Sequence, residues 1–265
     1  MGSRPEVVAP PEIFYDDDTA RKYTSNSRII EIQESMSERA LELLNLPNDG
    51  VPKLLLDIGC GSGLSGETIT GNGHHWVGLD IAPSMLNIAL EREVEGDLLL
   101  GDMGQGLGLR FGVFDGAIGI SSIQGAFFTS LYRCFTNGAR AVFQVYPEND
   151  DQRALMSSAA KAAGFGGGFL EDYPDNSKRR KEFLVLTCGQ QTPLPKSKTE
   201  DDDNGGEENQ IVYITDRHRP RKKQKNNKSE KEREWIKKKK EQRRRRGDDV
   251  PPDTKYTGRK RKNRF

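Results

Sequence analysis

The stretch that most constrains this chain is "KLLLDIGCGSGLSGETIT". A short continuous apolar run ends in Asp57. Gly59, Gly61 and Gly63 then make a G-x-G-x-G turn, and a helical stretch begins. Such a run is a strand buried on both faces, and glycines let a ligand approach the backbone or supply positive φ. The helix start that follows offers unpaired N–H groups to a ligand. Ser62 and Ser65 are positioned to cap that helix.

The same rhythm repeats downstream. "HWVGLDI", "GDLLLGDM", "FDGAIGISS" and "ARAVFQVY" read as further strands, with helices over "APSMLNIALERE", "GAFFTSLYRCF" and "DQRALMSSAAKAAG". Alternating strands and helices imply right-handed βαβ units and a mostly parallel sheet in a Rossmann-like α/β fold. "GGFLEDY" and "KEFLVLTC" have no helix between them, so the last strand is expected to run antiparallel at an edge. Upstream, residues 27–46 show helical apolar spacing ended by Pro47. The expected organisation is an extended lead-in over 1–26, one domain over 27–189, an acidic disordered linker over 190–215 and a basic tail over 216–265, disordered or partly helical.

The glycine spacing departs from the dinucleotide pattern G-x-G-x-x-G, because Gly66 comes too late. Asp57, two positions before the first glycine, would repel a pyrophosphate and favour an ammonium or sulfonium group. Asp80 closes the second strand, where a carboxylate can accept ribose hydroxyls. Asp102 and the Met103 backbone close the third, where they can read an adenine edge. Three strand ends in order point to S-adenosylmethionine.

Charge supplies the next constraint. Residues 216–265 carry 23 Lys+Arg and 8 Asp+Glu, while residues 1–215 carry 18 and 32. An acidic body with a tail of +15 argues against a small-metabolite enzyme and for a polyanionic partner, a nuclear import signal or both. "RPRKKQK", "KKKKEQRRRR" and "GRKRKNRF" are the clusters concerned. Cys60, Cys134 and Cys188 form no CxxC pair, which fits a reducing compartment without disulfides or a zinc site. No apolar run is long enough for a membrane span.

The blocks "FYDDDTARKYTSNSRIIEIQ", "LLDIGCGSGLSGE", "VGLDIAPSMLNIALEREVEGDLLLGDMGQGL", "RAVFQVYPEN" and the ending "YTGRKRKNRF" resemble the eukaryotic small-subunit rRNA guanine-N7 methyltransferases, which are class I S-adenosylmethionine-dependent enzymes. The resemblance covers nearly the whole chain. It implies methylation of one guanine N7 during ribosome assembly, in the nucleus and nucleolus, with the cytoplasm as a further location. It implies small-subunit rRNA or its precursor as substrate and a small zinc-binding activator subunit as partner. "GDLLLGDM" is a candidate strand for that pairing, a plain core strand being the alternative. The implied cofactor contacts are Asp57, Gly59, Cys60, Gly61, Ser62, Gly63, Asp80, Ile81, Asp102, Met103 and Ser121, with Tyr15 and Tyr23 closing the site. The implied guanine contacts are Gln124, Tyr146 and Pro147.

Guanine N7 is a lone pair that carries no proton at neutral pH, so transfer needs positioning rather than a general base, and no catalytic acid or base is assigned. One departure bears on that positioning. The family continues from the glutamine into a tryptophan, a polar loop and a helical segment before "FF". Here Gln124 is followed directly by Gly125, Ala126, Phe127 and Phe128. A segment is missing, which puts guanine docking in question and leaves a non-catalytic assembly factor as the alternative reading. A small-molecule methyltransferase is the third.

Overall fold

The structure is a computed structural model. It describes residues 10–120, 127–177, 179–189 and 194–199, with Lys240 and Pro252 beyond them. Seven strands form one sheet: β1 Leu54–Ile58, β2 His75–Asp80, β3 Asp97–Leu100, β4 Phe114–Ile120, β5 Phe135–Val145, β6 Gly166–Asp172 and β7 Lys181–Thr187. Their order is β3-β2-β1-β4-β5-β7-β6. Strands β1 to β5 pair in parallel. β7 is antiparallel to both neighbours. The antiparallel strand is therefore interior, and β6, not β7, forms the edge. The reversal at β6–β7 inserts β7 beside β5, where Phe183, Leu184, Val185 and Leu186 are buried.

Seven α-helices are described: α1 Pro11–Phe14, α2 Asp17–Ser25, α3 Ser27–Leu44, α4 Leu64–Gly71, α5 Pro83–Glu91, α6 Phe128–Cys134 and α7 Asp150–Ala162. One face of the sheet packs Phe127, Phe128, Leu131 and Phe165 against Phe143 and Ala117. The other packs Met36, Ala40, Leu43 and Leu44 of α3 and Ile69 of α4 against Leu55, Ile118 and Val142. Leu55 and Leu56 are both fully buried but fall in opposite clusters, as neighbouring residues of a two-sided strand must.

The lead-in expected to be extended is helical at α1 and α2. Pro11 takes the first helical position, where its missing N–H costs nothing. The Asp16 side chain accepts from the Thr19 N–H and starts α2. Asn26 likewise caps α3, accepting from Arg28 N–H and Ile29 N–H.

Residues 194–199, expected within a disordered linker, lie as a strap beside β6. Asp172 accepts from the Lys198 N–H at 2.6 Å, and Lys198 returns its carbonyl to the Tyr173 N–H at 2.7 Å. Arg39 holds Asp172 at 2.8 Å and also donates to the Lys196 carbonyl. The basic tail lies outside the described residues, apart from Lys240 and Pro252. Among the described residues, no helix is long and apolar enough to cross a membrane.

Candidate functional site

Parallel pairing brings the carboxyl ends of β1, β2 and β3 to one rim, and the three acidic residues singled out in the sequence sit there. Gly59, Gly61 and Gly63 have φ of 72°, 53° and 79°, a region that side chains with Cβ rarely adopt. A Cβ on Gly61 would come 2.9 Å from Met85 Cε, and one on Gly63 would come 2.7 Å from Val94 Cγ1. The turn thus needs glycine both for its backbone and for close packing. Gly59 and Cys60 N–H donate to the Leu79 carbonyl, which ties the turn to the end of β2. Gly66, too late for a nucleotide fingerprint, serves packing instead. A Cβ there would overlap the Trp76 indole.

The expected serine caps are not what forms. The residue before α4 is Gly63, and no side chain caps the helix. Ser65 instead donates to Asp57 Oδ2 at 2.6 Å. Asp57 is fully buried, and its Oδ1 has no protein partner among the described residues. Ser62 Oγ, also buried, is likewise unpartnered. An orphaned buried oxygen costs about 1–3 kcal/mol, more if charged. Two of them beside the glycine turn mark where a ligand's donors belong. Burial pushes the Asp57 carboxyl up to about 7, opposed by the Ser65 hydrogen bond and supported by the nearby Asp80 charge. A cationic ligand group would relieve that.

Asp80 accepts from Gly61 N–H at 2.8 Å on Oδ2 and from Ala82 N–H at 2.8 Å on Oδ1. Each oxygen keeps a lone pair, so the carboxylate is fixed in orientation and can still accept a diol. Burial raises its pKa, while the Ala82 and Gly61 amides lower it. Ile81 beside it is half-buried. Asp102 accepts from Gly104 N–H at 2.8 Å and shapes the tight turn Met103–Gln105. Cys60 is buried against β2, and burial pushes its thiol far up, which fits a packed side chain rather than a nucleophile.

Tyr15 and Tyr23 meet edge to face at 5.9 Å and pack on Ala20, Ala82, Met85 and Ile88. Gln33 donates to Tyr23 Oη at 2.7 Å. Arg21 pairs with Glu91, so α2 is held on α5. Met85 of the same cluster also lies against Gly61, so the cluster on which the tyrosines pack reaches the turn. Tyr146 follows β5, 41% exposed at the same rim, with Pro147 next to it. Ser121 and Gln124 lie outside the described residues, as does the junction up to Ala126. Sequence reasoning missed two participants: Ser65 as the partner of Asp57, and Met85 as the link to the tyrosines.

These features match known proteins. A family described as "Methyltransferase involved in Williams-Beuren syndrome" matches residues 186–263, and a "Methyltransferase domain" matches residues 55–142. The 18S rRNA (guanine-N(7))-methyltransferase RID2 of Arabidopsis thaliana is 66% identical over 217 positions, covering 76% of this chain and 75% of that protein. The 18S rRNA (guanine-N(7))-methyltransferase of Mus musculus is 51% identical over 278 positions, covering 99% of this chain and 98% of that protein.

The chain belongs to the 18S rRNA guanine-N7 methyltransferase family.

Its cofactor is therefore S-adenosylmethionine, its fold is that of the class I methyltransferases and its family role is in ribosome biogenesis. A Haemonchus contortus phosphoethanolamine N-methyltransferase 2 structure shares the fold, with TM-score 0.52, 14% identity and coverage of 66% of this chain and 58% of that one. The mouse alignment spans 278 positions although this chain has 265 residues, so at least 13 positions have no counterpart here. The RID2 alignment places 217 positions over 76% of the chain, about 201 residues, which leaves about 16 unmatched. An internal shortfall of this kind is what the sequence suggests after Gln124.

Proposed function

We propose that this chain transfers a methyl group to guanine N7 of small-subunit rRNA, with the cofactor held by Asp57, Ser62, the Gly59–Gly63 turn, Asp80, Ile81, Asp102 and Met103. The observation that carries the cofactor site is the pair of orphaned buried oxygens, Asp57 Oδ1 and Ser62 Oγ, beside a positive-φ glycine turn. S-adenosylmethionine supplies an electrophilic sulfonium methyl when bound. The chain's own work is placement. Asp57 and Ser62 take the donors of the amino-acid end, Asp80 takes the ribose hydroxyls, and the Asp102–Met103 turn takes the adenine edge. Tyr15, just after α1, and Tyr23, in α2, close over the site and exclude water. Tyr146 and Pro147 form the rim on the guanine side, with Gln124 and Ser121 in the connection after β4. No proton has to leave N7, so no side chain acts as base.

The small zinc-binding activator is placed along β3. This strand pairs with β2 on one side, and it is an edge of the described sheet. Leu100 is 62% exposed on it and Leu99 37%. An open edge with exposed leucines is a site for strand addition. The tail's basic clusters support nuclear and nucleolar targeting.

The internal shortfall favours a second reading, a non-catalytic assembly factor that keeps cofactor and partner but lacks base docking. The test combines the chain, the activator and precursor small-subunit RNA, and reads methyl incorporation after cofactor binding is measured by calorimetry. Binding with incorporation at N7 supports the enzyme. Binding without incorporation supports the assembly factor.

A further inference from the structure

The rim beyond Tyr146 carries a feature that the cofactor site does not use. β5 and β6 are both antiparallel to β7, so they run the same way, and the turn after Asp172 reaches the rim on which Tyr146 stands. That turn reads "YPDNSKRRK", with Lys178, Arg179, Arg180 and Lys181 in succession. Apart from these four, residues 1–215 carry 32 acidic against 14 basic residues, so four adjacent cations are out of character with the sequence around them.

The turn is held firmly. Tyr173 has φ of 54°, a costly conformation for an aromatic residue, and its N–H is fixed by the Lys198 carbonyl. The Arg179 guanidinium lies 4.2 Å over the Tyr173 ring. Below it, Asp172 is locked between Arg39 and the Lys198 N–H. Glu182 receives Arg153 and Arg180, and Arg180 also reaches Glu171 at 2.6 Å. Burial would raise the Glu182 pKa, but the hydrogen bonds from Arg153 and Arg180 hold it below its usual value. Arg180 thus braces the turn. Arg179 stands above it on an aromatic base, and Lys181 Nζ sits 5.7 Å from the Tyr146 ring.

We propose that Tyr173, Arg179, Lys181 and Tyr146 form a preorganised contact surface for the single-stranded RNA that flanks the target guanine. Arg179 and Lys181 take phosphates, and Tyr146 offers a face on which a base stacks. This rests on the rRNA methyltransferase reading above and adds the residues that seat the strand. Phosphate contacts position a strand without reading its sequence, so the surface sets where the guanine lies.

The test uses the full chain with a labelled single-stranded RNA of about 20 nucleotides, since one OB-type site spans fewer than that. Affinity is measured from low to high salt for wild type, for Arg179→Ala with Lys181→Ala, and for Arg179→Lys with Lys181→Arg. Melting temperature and cofactor binding are followed in parallel. The alanine pair should weaken RNA binding about tenfold at low salt and flatten the log–log salt slope by about 1.4, roughly 0.7 per lost phosphate contact. Cofactor affinity should not change, and the charge-keeping pair should restore both RNA readouts. Lys181→Gln alone, with about half the slope change, keeps the test open if the double variant folds poorly. An unaltered slope in a chain that methylates its RNA overturns this surface alone. A wild-type chain that binds no RNA overturns the surface and the methyltransferase reading together.

Discussion

Ser65 donates its hydroxyl to Asp57 Oδ2 at 2.6 Å, leaving Oδ1 of the same buried carboxylate without a protein partner among the described residues. The helix after the glycine turn thus reaches back to the strand before it and aims one carboxylate oxygen. Asp57→Asn keeps the size and removes the charge. Cofactor affinity should fall by about 10- to 100-fold, the range expected for a charge-assisted hydrogen bond of about 1.5–3 kcal/mol. Calorimetry reads this directly.

The raised Asp57 pKa predicts a pH dependence. Its folded value of about 7 exceeds the unfolded value, so the folded chain binds the extra proton. The cost of ionising Asp57 is absent below the unfolded pKa, grows as pH rises and is complete above about 7. Asp57→Asn should therefore gain stability over wild type from pH 5 to pH 8 in the absence of cofactor. A cationic ligand favours the ionised form, so wild-type cofactor binding should tighten through the same window and release a proton. Titration heats in buffers of different ionisation enthalpy check this, and heats independent of buffer would count against it.

Gly66 faces Trp76 so closely that a Cβ has no room, and Gly96 abuts the same indole. Gly66→Ala should destabilise by about 1–3 kcal/mol through overpacking. A domain of this size then melts about 2–4 °C lower per kcal/mol. Adding Trp76→Phe should recover part of the loss in a melting experiment.

Arg39 and Asp172 pair at 2.8 Å with side chains 13% and 3% exposed. Arg39→Ala leaves the buried Asp172 without its charge partner, held by the Lys198 N–H, at a cost of about 3–5 kcal/mol. Arg39→Leu combined with Asp172→Leu should cost less in denaturant unfolding. Both variants should expose the strap at 194–199 to protease sooner than in wild type.

Much of this was legible in the sequence, for reasons that differ by element. β1, β2 and β4 are apolar runs buried on both faces, a pattern that depends on local residues alone. The positions of Asp57 and Asp80 at strand ends follow from the first two of those runs, while Asp102 follows β3, which is exposed along most of its length. The place of β7 between β5 and β6 is a non-local pairing that no local pattern encodes. α1 and α2 leave little mark on the sequence because they bury little: α1 has no buried residue and α2 only Ala20 and Thr24. Their helicity rests on Pro11 and the Asp16 cap. Ser65 was read as a cap because it stands near a helix start; only the fold shows that its hydroxyl faces Asp57. The strap reads as linker because its stretch is polar and acidic with few apolar residues, yet the Lys196 carbonyl and the Lys198 backbone groups bond, and Lys198 Nζ pairs with Glu42.

The most direct test of the central claim is borohydride and aniline cleavage of small-subunit precursor RNA after incubation with this chain, the proposed activator subunit and S-adenosylmethionine. The account predicts scission at a single guanine, marking N7 methylation, and none with Asp57→Asn at limiting cofactor. Cofactor binding by the wild-type complex without any N7 scission would contradict it.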